Sequence, residues 1–145
     1  MSWTSIFGEE INTKNGMVNT AEALKNKKRV AIYFSAHWCP PCRQFTPILG
    51  QFYEDAKAVD ADGLEIIFVS ADSDARQYNE YFGTMPFCST EYGADVNEDL
   101  NGKFDVSGIP MFIVLDGNDG SVKDKEARGT VMQARGDVAA CFAKW

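Results

Sequence analysis

The chain has 145 residues, 45% apolar and 24% charged, with a formal net charge of −7. That length and mix fit a single globular domain over residues 1–145 with a sizeable core. The acidic balance argues against nucleic acid or an anionic membrane surface as partner, and no apolar run approaches the ~18–20 residues that span a bilayer.

Ile6 to Val18 contains Gly8, Asn12, Asn15 and Gly16 and reads as a short hairpin or loop. Thr20 is placed to cap a short helix through Ala21–Lys25. Arg29 to Ala36 reads as a buried strand. After Cys42 the apolar positions Phe45, Ile48, Leu49, Phe52, Tyr53 and Ala56 fall at helical spacing with one buried face, and Pro47 lies inside that helix. Leu64–Ser70 is a second buried strand. Asp72–Phe82 reads as a helix with Tyr78, Tyr81 and Phe82 on its apolar side, ended by Thr84-Met85-Pro86-Phe87. Asp95–Phe104 is a weaker helix. Met111–Leu115 is a third strand, followed by the turn composition Asp116-Gly117-Asn118-Asp119-Gly120. Ser121–Arg128, rich in Lys and Glu, reads as an edge strand. Gln133–Trp145 closes with a helix. Strands alternating with helices predict an α/β fold whose sheet carries helices on both faces, with the last two strands antiparallel.

Trp38-Cys39-Pro40-Pro41-Cys42-Arg43 stands between the first buried strand and its helix. Two cysteines separated by two residues can close a small disulfide ring or open to a dithiol. At a strand-to-helix junction the first sulfur meets the helix N-terminus, whose N–H groups and dipole favour a thiolate. The competing reading is half of a structural zinc site, which needs about four N/S ligands. Cys88 and Cys141 are singletons and His37 is the only histidine, so no metal is expected. Cys88, in a loop after Pro86-Phe87, is either a regulatory thiol or a small hydrophobe, and Cys141 reads as a small hydrophobe. His37 is either a cation that helps the Cys39 thiolate or a solvated loop residue. Met1–Glu10 has neither a basic region nor an apolar core of the kind that marks a signal peptide, so a reducing cytoplasmic setting is expected, where a CxxC is catalytic or metal-binding. No Gly-rich dinucleotide fingerprint follows a strand. No bound cofactor is expected, and the reductant is an external protein or thiol.

This arrangement resembles the thioredoxin superfamily from about Ala21 to Trp145. It carries the CxxC with Trp38 ahead of it, Pro47 inside the following helix, and Ile109-Pro110 before a later strand. Trp-Cys-Pro-Pro-Cys-Arg, Phe45-Thr46-Pro47, and Tyr81-Phe82 followed by Met85-Pro86 are similar to the nucleoredoxin and tryparedoxin branch. The resemblance implies a thioredoxin fold with a mixed central sheet. It implies Cys39 as exposed nucleophile, Cys42 as buried resolving thiol, and Pro110 as a cis-proline facing them. Trp38, Pro40, Pro41, Ile109 and Pro110 would border the substrate, and Arg43 and Arg128 would hold a glutathione-type conjugate in one groove. The activity implied is reduction of protein or small-peptide disulfides, with peroxiredoxins among the acceptors. The donor would be thioredoxin reductase, glutathione or trypanothione. The alternative is a redox-dependent protein-binding module of the nucleoredoxin kind. Two positions depart from the pattern. Where thioredoxins bury an acid, six residues before the first cysteine, this chain has Tyr33. Where tryparedoxins have a second tryptophan, it has Ala71. Asp72, just past the second strand, or water is left to take the Cys42 proton.

Overall fold

In the computed structural model, which describes residues 2–145, the elements run in chain order as follows. The first part holds α1 (Trp3–Phe7), β1 (Glu10–Thr13), β2 (Gly16–Asn19), α2 (Thr20–Ala23), β3 (Arg29–Ser35) and α3 (Pro40–Val59). Then come β4 (Glu65–Ser70), α4 (Ala75–Phe82), β5 (Cys88–Ser89), α5 (Asp95–Lys103) and β6 (Met111–Asp116). The chain ends with β7 (Val122–Asp124), α6 (Ala127–Gln133) and α7 (Val138–Lys144). Among the described residues the strands form one sheet in the order β2-β1-β5-β4-β3-β6-β7. β3–β4 and β4–β5 are parallel; β1–β2, β1–β5, β3–β6 and β6–β7 are antiparallel. The sheet is therefore mixed, with its last two strands antiparallel as expected.

The central strands are apolar throughout because helices cover both faces. Side chains alternate across a strand. Tyr33, Phe68 and Phe112 face α3, α4, α6 and α7, whereas Ile32, Ile67 and Ile113 face α1, α2 and α5. This two-sided burial places Ser35, the last residue of β3, against the first turn of α3.

Several boundaries differ from the sequence reading. Asn19, not Thr20, caps α2, accepting the Glu22 N–H at 3.1 Å. The expected strand Ser121–Arg128 stops at Asp124, and Arg128 lies on α6. Asp124 causes the turn. Its carboxylate accepts the Glu126 N–H at 3.0 Å, the Thr130 hydroxyl, and the Trp145 indole N–H at 2.9 Å. The closing helix, expected over Gln133–Trp145, starts only at Val138: α6 ends at Gln133, and Gly136, with φ +79°, lies in the turn between the two. Cys88 is in strand β5, not in a loop.

Gly117 marks a close approach. Its N–H donates to the Lys28 carbonyl at 2.9 Å, and a Cβ there would lie 1.9 Å from the Lys27 carbonyl oxygen. Gly117→Ala should therefore push the entry to β3 away from the β6–β7 turn, at a cost of about 1–3 kcal/mol. Urea denaturation measures this. An unchanged midpoint would mean that residues 27–28 give way freely.

Candidate active site

Cys39 is the N-cap of α3, and Pro40 and Pro41 form its first turn, where the missing N–H groups cost nothing. The Cys42 N–H donates to the Cys39 sulfur at 3.3 Å. The Cys39 thiol is 3.9 Å from the Ile109 carbonyl oxygen, just ahead of the Ile109–Pro110 peptide, which is cis. Cys42 is fully buried. Cys39 is only 5% exposed, so the resemblance overstated its openness: the Ile109 carbonyl lies over the sulfur. Burial, reinforced by the hydrogen bond with Cys39, pushes the Cys42 thiol well above the ordinary cysteine range.

The loop bearing Trp38 is clamped to the end of β4. The Trp38 indole N–H donates to the Ala71 carbonyl at 3.1 Å and the ring stays 53% exposed, so it stands as a wall beside the thiols. The His37 N–H donates to Asp72 Oδ1 at 2.7 Å, and the Ser70 hydroxyl donates to Asp72 Oδ2 at 2.7 Å. Both Asp72 oxygens thus serve the loop, and Asp72 has no described hydrogen bond to Cys42. Of the two expected acceptors for the Cys42 proton, Asp72 or water, Asp72 is set aside on that ground. His37 stacks on Tyr81, ring centroids 5.1 Å apart and 9° from parallel.

A network absent from the sequence reading lies beside Cys42. The Ser35 hydroxyl draws the Cys42 thiol pKa down against its burial and lies 2.6 Å from the Tyr81 hydroxyl. Tyr81 is bonded to Thr46, and Thr46 to Tyr33 at 2.7 Å. Tyr33 thus fills the thioredoxin acid position with a neutral phenol, its pKa pushed far up by burial. Hydroxyls at Ser35 in a buried strand, and at Thr46 and Tyr81 on apolar helix faces, were the only signal in the sequence.

Arg43 and Arg128 line different cavities, not one groove. Arg43 donates to the His37 carbonyl at 2.7 Å and borders a space of about 270 Å³ with Thr46, Pro47, Tyr81 and Thr84. Arg128 lies 6.0 Å from the Phe45 ring centre and borders a space of about 510 Å³ with Pro110, Phe112 and Met132.

A family model described as thioredoxin-like matches residues 26–122. The chain belongs to the thioredoxin-like family. Within it the chain sits in the nucleoredoxin and tryparedoxin branch. It is 41% identical over 111 residues to probable nucleoredoxin 1 of Arabidopsis thaliana, covering 77% of this chain but 19% of that protein. It is 36% identical over 108 residues to tryparedoxin of Trypanosoma brucei brucei, covering 73% of each. The structure of tryparedoxin II complexed with glutathionylspermidine superposes with a TM-score of 0.79 at 30% identity, covering 88% of this chain and 87% of that one. The fold is the thioredoxin fold, and a redox role goes with the family.

Cys88 and Cys141 are buried on opposite faces of the sheet. Burial and the neighbouring Glu65 carboxylate push the Cys88 thiol up to about 12. Peptide mapping of the oxidised protein without reductant should therefore find a Cys39–Cys42 bond and no other within the chain. A Cys88–Cys141 peptide would contradict this placement.

Proposed function

We propose that this protein is a disulfide reductase of the cytoplasm, cycling between the Cys39/Cys42 dithiol and disulfide to reduce disulfides in proteins or small thiol peptides. Peroxiredoxins are candidate acceptors, and thioredoxin reductase, glutathione or trypanothione candidate donors. The observation that carries the reading is the first sulfur at a helix N-cap, 3.3 Å from the second cysteine's N–H, beneath the Ile109–Pro110 backbone. Cys39 as thiolate attacks a substrate sulfur, forming a mixed disulfide and releasing one thiolate. Cys42 then attacks Cys39 Sγ, closing the ring and releasing the second thiolate. Two electrons pass to the substrate, and an external thiol or reductase restores the dithiol. An extended substrate would run along Pro110 and the cavity of about 510 Å³ that it borders, with the Ile109 backbone for pairing. The deciding experiment offers oxidised protein to each donor in turn and follows Cys39–Cys42 reduction. Reduction by none of them would sink the proposal.

The glutathionylspermidine-bound relative supports a glutathione-type conjugate as one substrate. Arg128, beside Pro110, is the better-placed partner for its carboxylates; Arg43 reaches only from the neighbouring cavity. Charge reversal at both, to Glu, should slow reaction with glutathione-type thiols roughly tenfold, with Arg128 carrying the larger share. Reduction of an uncharged disulfide should change little. Equal slowing of both substrates would mean that the arginines act on the fold.

A second reading, a redox-dependent binding module, draws on the likeness to nucleoredoxin 1 and on the half-exposed Trp38 beside the thiols. Tight partner binding that survives Cys39→Ser would favour it over turnover.

A further inference from the structure

We propose that the Cys42 proton leaves through Ser35, Tyr81 and Thr46, a hydroxyl relay that opens into the cavity between α3 and α4. The proposal rests on the dithiol reading above, in which Cys42 must lose its proton before it can attack the mixed disulfide.

Three observations converge on it. First, Cys42 is fully buried and held protonated, and no carboxylate of the described residues is hydrogen-bonded to it. Asp72 is committed to His37 and Ser70. Second, a chain of hydroxyls starts beside the sulfur: Ser35, whose hydroxyl draws the Cys42 pKa down against burial, Tyr81 2.6 Å from Ser35, and Thr46 bonded to Tyr81. In each of these hydroxyl–hydroxyl bonds either oxygen is able to donate, which a proton hop requires. Third, the far end reaches solvent. Thr46 and Tyr81 line the space of about 270 Å³ that also bears His37 and Arg43. Such a space holds water. Tyr33, the other partner of Thr46, leads nowhere, enclosed by Phe45, Phe68, Phe87 and Phe112.

None of the three hydroxyls keeps the proton. Burial raises the Tyr81 pKa, so its phenol stays protonated. Each oxygen therefore receives one proton as it passes on its own. The Cys42 S–H proton goes to Ser35 Oγ, the Ser35 proton to Tyr81, the Tyr81 proton to Thr46, and the Thr46 proton to cavity water. The Cys42 thiolate forms the S–S bond with Cys39 as the Cys39–substrate bond breaks. The departing substrate thiolate carries the electron pair away and is protonated from solvent. His37 stacks on the Tyr81 ring and restrains its plane.

Dithionitrobenzoate separates the two steps. Attack by Cys39 releases the first thionitrobenzoate, and attack by Cys42 releases the second. If the reduced wild-type protein gives no second release, the dithiol reading itself fails, whatever the relay does. If it gives both, Tyr81→Phe and Thr46→Val should leave the first release near the wild-type rate. Both should slow the second roughly 100-fold, the low end of acid–base assistance. Thr46→Ser keeps the hydroxyl and should restore the second rate, which a packing role for the Thr46 methyl would not allow. The wild-type second step should show a solvent deuterium isotope effect that shrinks in Thr46→Val. An unchanged second release in both hydroxyl-deleted variants would overturn the relay. So would equal slowing of both releases, or a Thr46→Ser variant as slow as Thr46→Val. If Tyr81→Phe fails to fold, the Thr46 pair alone decides.

Discussion

Cys39→Ser is expected to reduce disulfide turnover to background, and Cys42→Ser to convert the protein into a trap that accumulates mixed disulfides. The two sulfurs are inequivalent by position. Cys39 is at the helix N-cap against the Ile109 carbonyl and keeps 5% exposure, so an incoming disulfide reaches it before the fully buried Cys42. Cys42 is one turn inside α3, fully buried, with its thiol pKa raised by that burial. It can attack only a sulfur already delivered to Cys39. A serine hydroxyl at position 39 is a far weaker nucleophile toward sulfur than a thiolate, so the first step has no substitute. A serine at position 42 leaves the first step intact and removes the second. Non-reducing electrophoresis followed by mass measurement of the adduct reads both outcomes. A Cys42→Ser variant that turns over at the wild-type rate would mean that an external thiol, not Cys42, resolves the intermediate.

The strands β3, β4 and β6 were legible because two-sided burial writes them as continuous apolar runs, and α3 because its buried residues recur at helical spacing. What was missed follows from short-range signals too weak to register. β5 is two residues long and joins the sheet by pairing with Ile67, Phe68 and Asn12, which no local pattern encodes. The start of α6, Ala127 and Arg128, was read as strand because Ser121–Arg128 has the composition of an exposed edge. The chain turns at Asp124 because a carboxylate there binds Glu126, Thr130 and the distant Trp145. The site divides the same way. Cys39 and Cys42 declare themselves by covalent spacing, and Ile109–Pro110 by the family pattern. The Ser35–Tyr81–Thr46 network does not, because it assembles residues from β3, α3 and α4 that look apolar or incidental in their own segments. Tyr33 in place of an acid was the one visible hint that proton handling differs here.

Phe68→Ala should lower the unfolding free energy by about 3–5 kcal/mol, a large part of the ~5–15 kcal/mol that holds a domain of this size together. Phe68 is fully buried at the middle of β4, in register with Tyr33 across the parallel pair. It joins three tyrosines. Tyr81 packs edge-on at 5.5 Å, Tyr78 stacks at 6.0 Å with the rings 4° from parallel, and Tyr33 lies tilted at 6.2 Å. Removing the ring leaves a void that the sheet backbone prevents from collapsing, because β4 is held between β3 and β5 on both sides. The same change should harm the chemistry beyond its effect on folding. Tyr81 would lose the edge contact that seats its hydroxyl between Ser35 and Thr46, while Cys39, on the loop before α3, would keep its surroundings. Guanidinium or urea titration measures the first effect; single-turnover release of substrate, normalised to folded protein, measures the second. A loss under about 1.5 kcal/mol would show that the neighbouring rings close over the gap. In that case Tyr81 would shift with them, and slowing confined to the Cys42 step would still report the displaced hydroxyl.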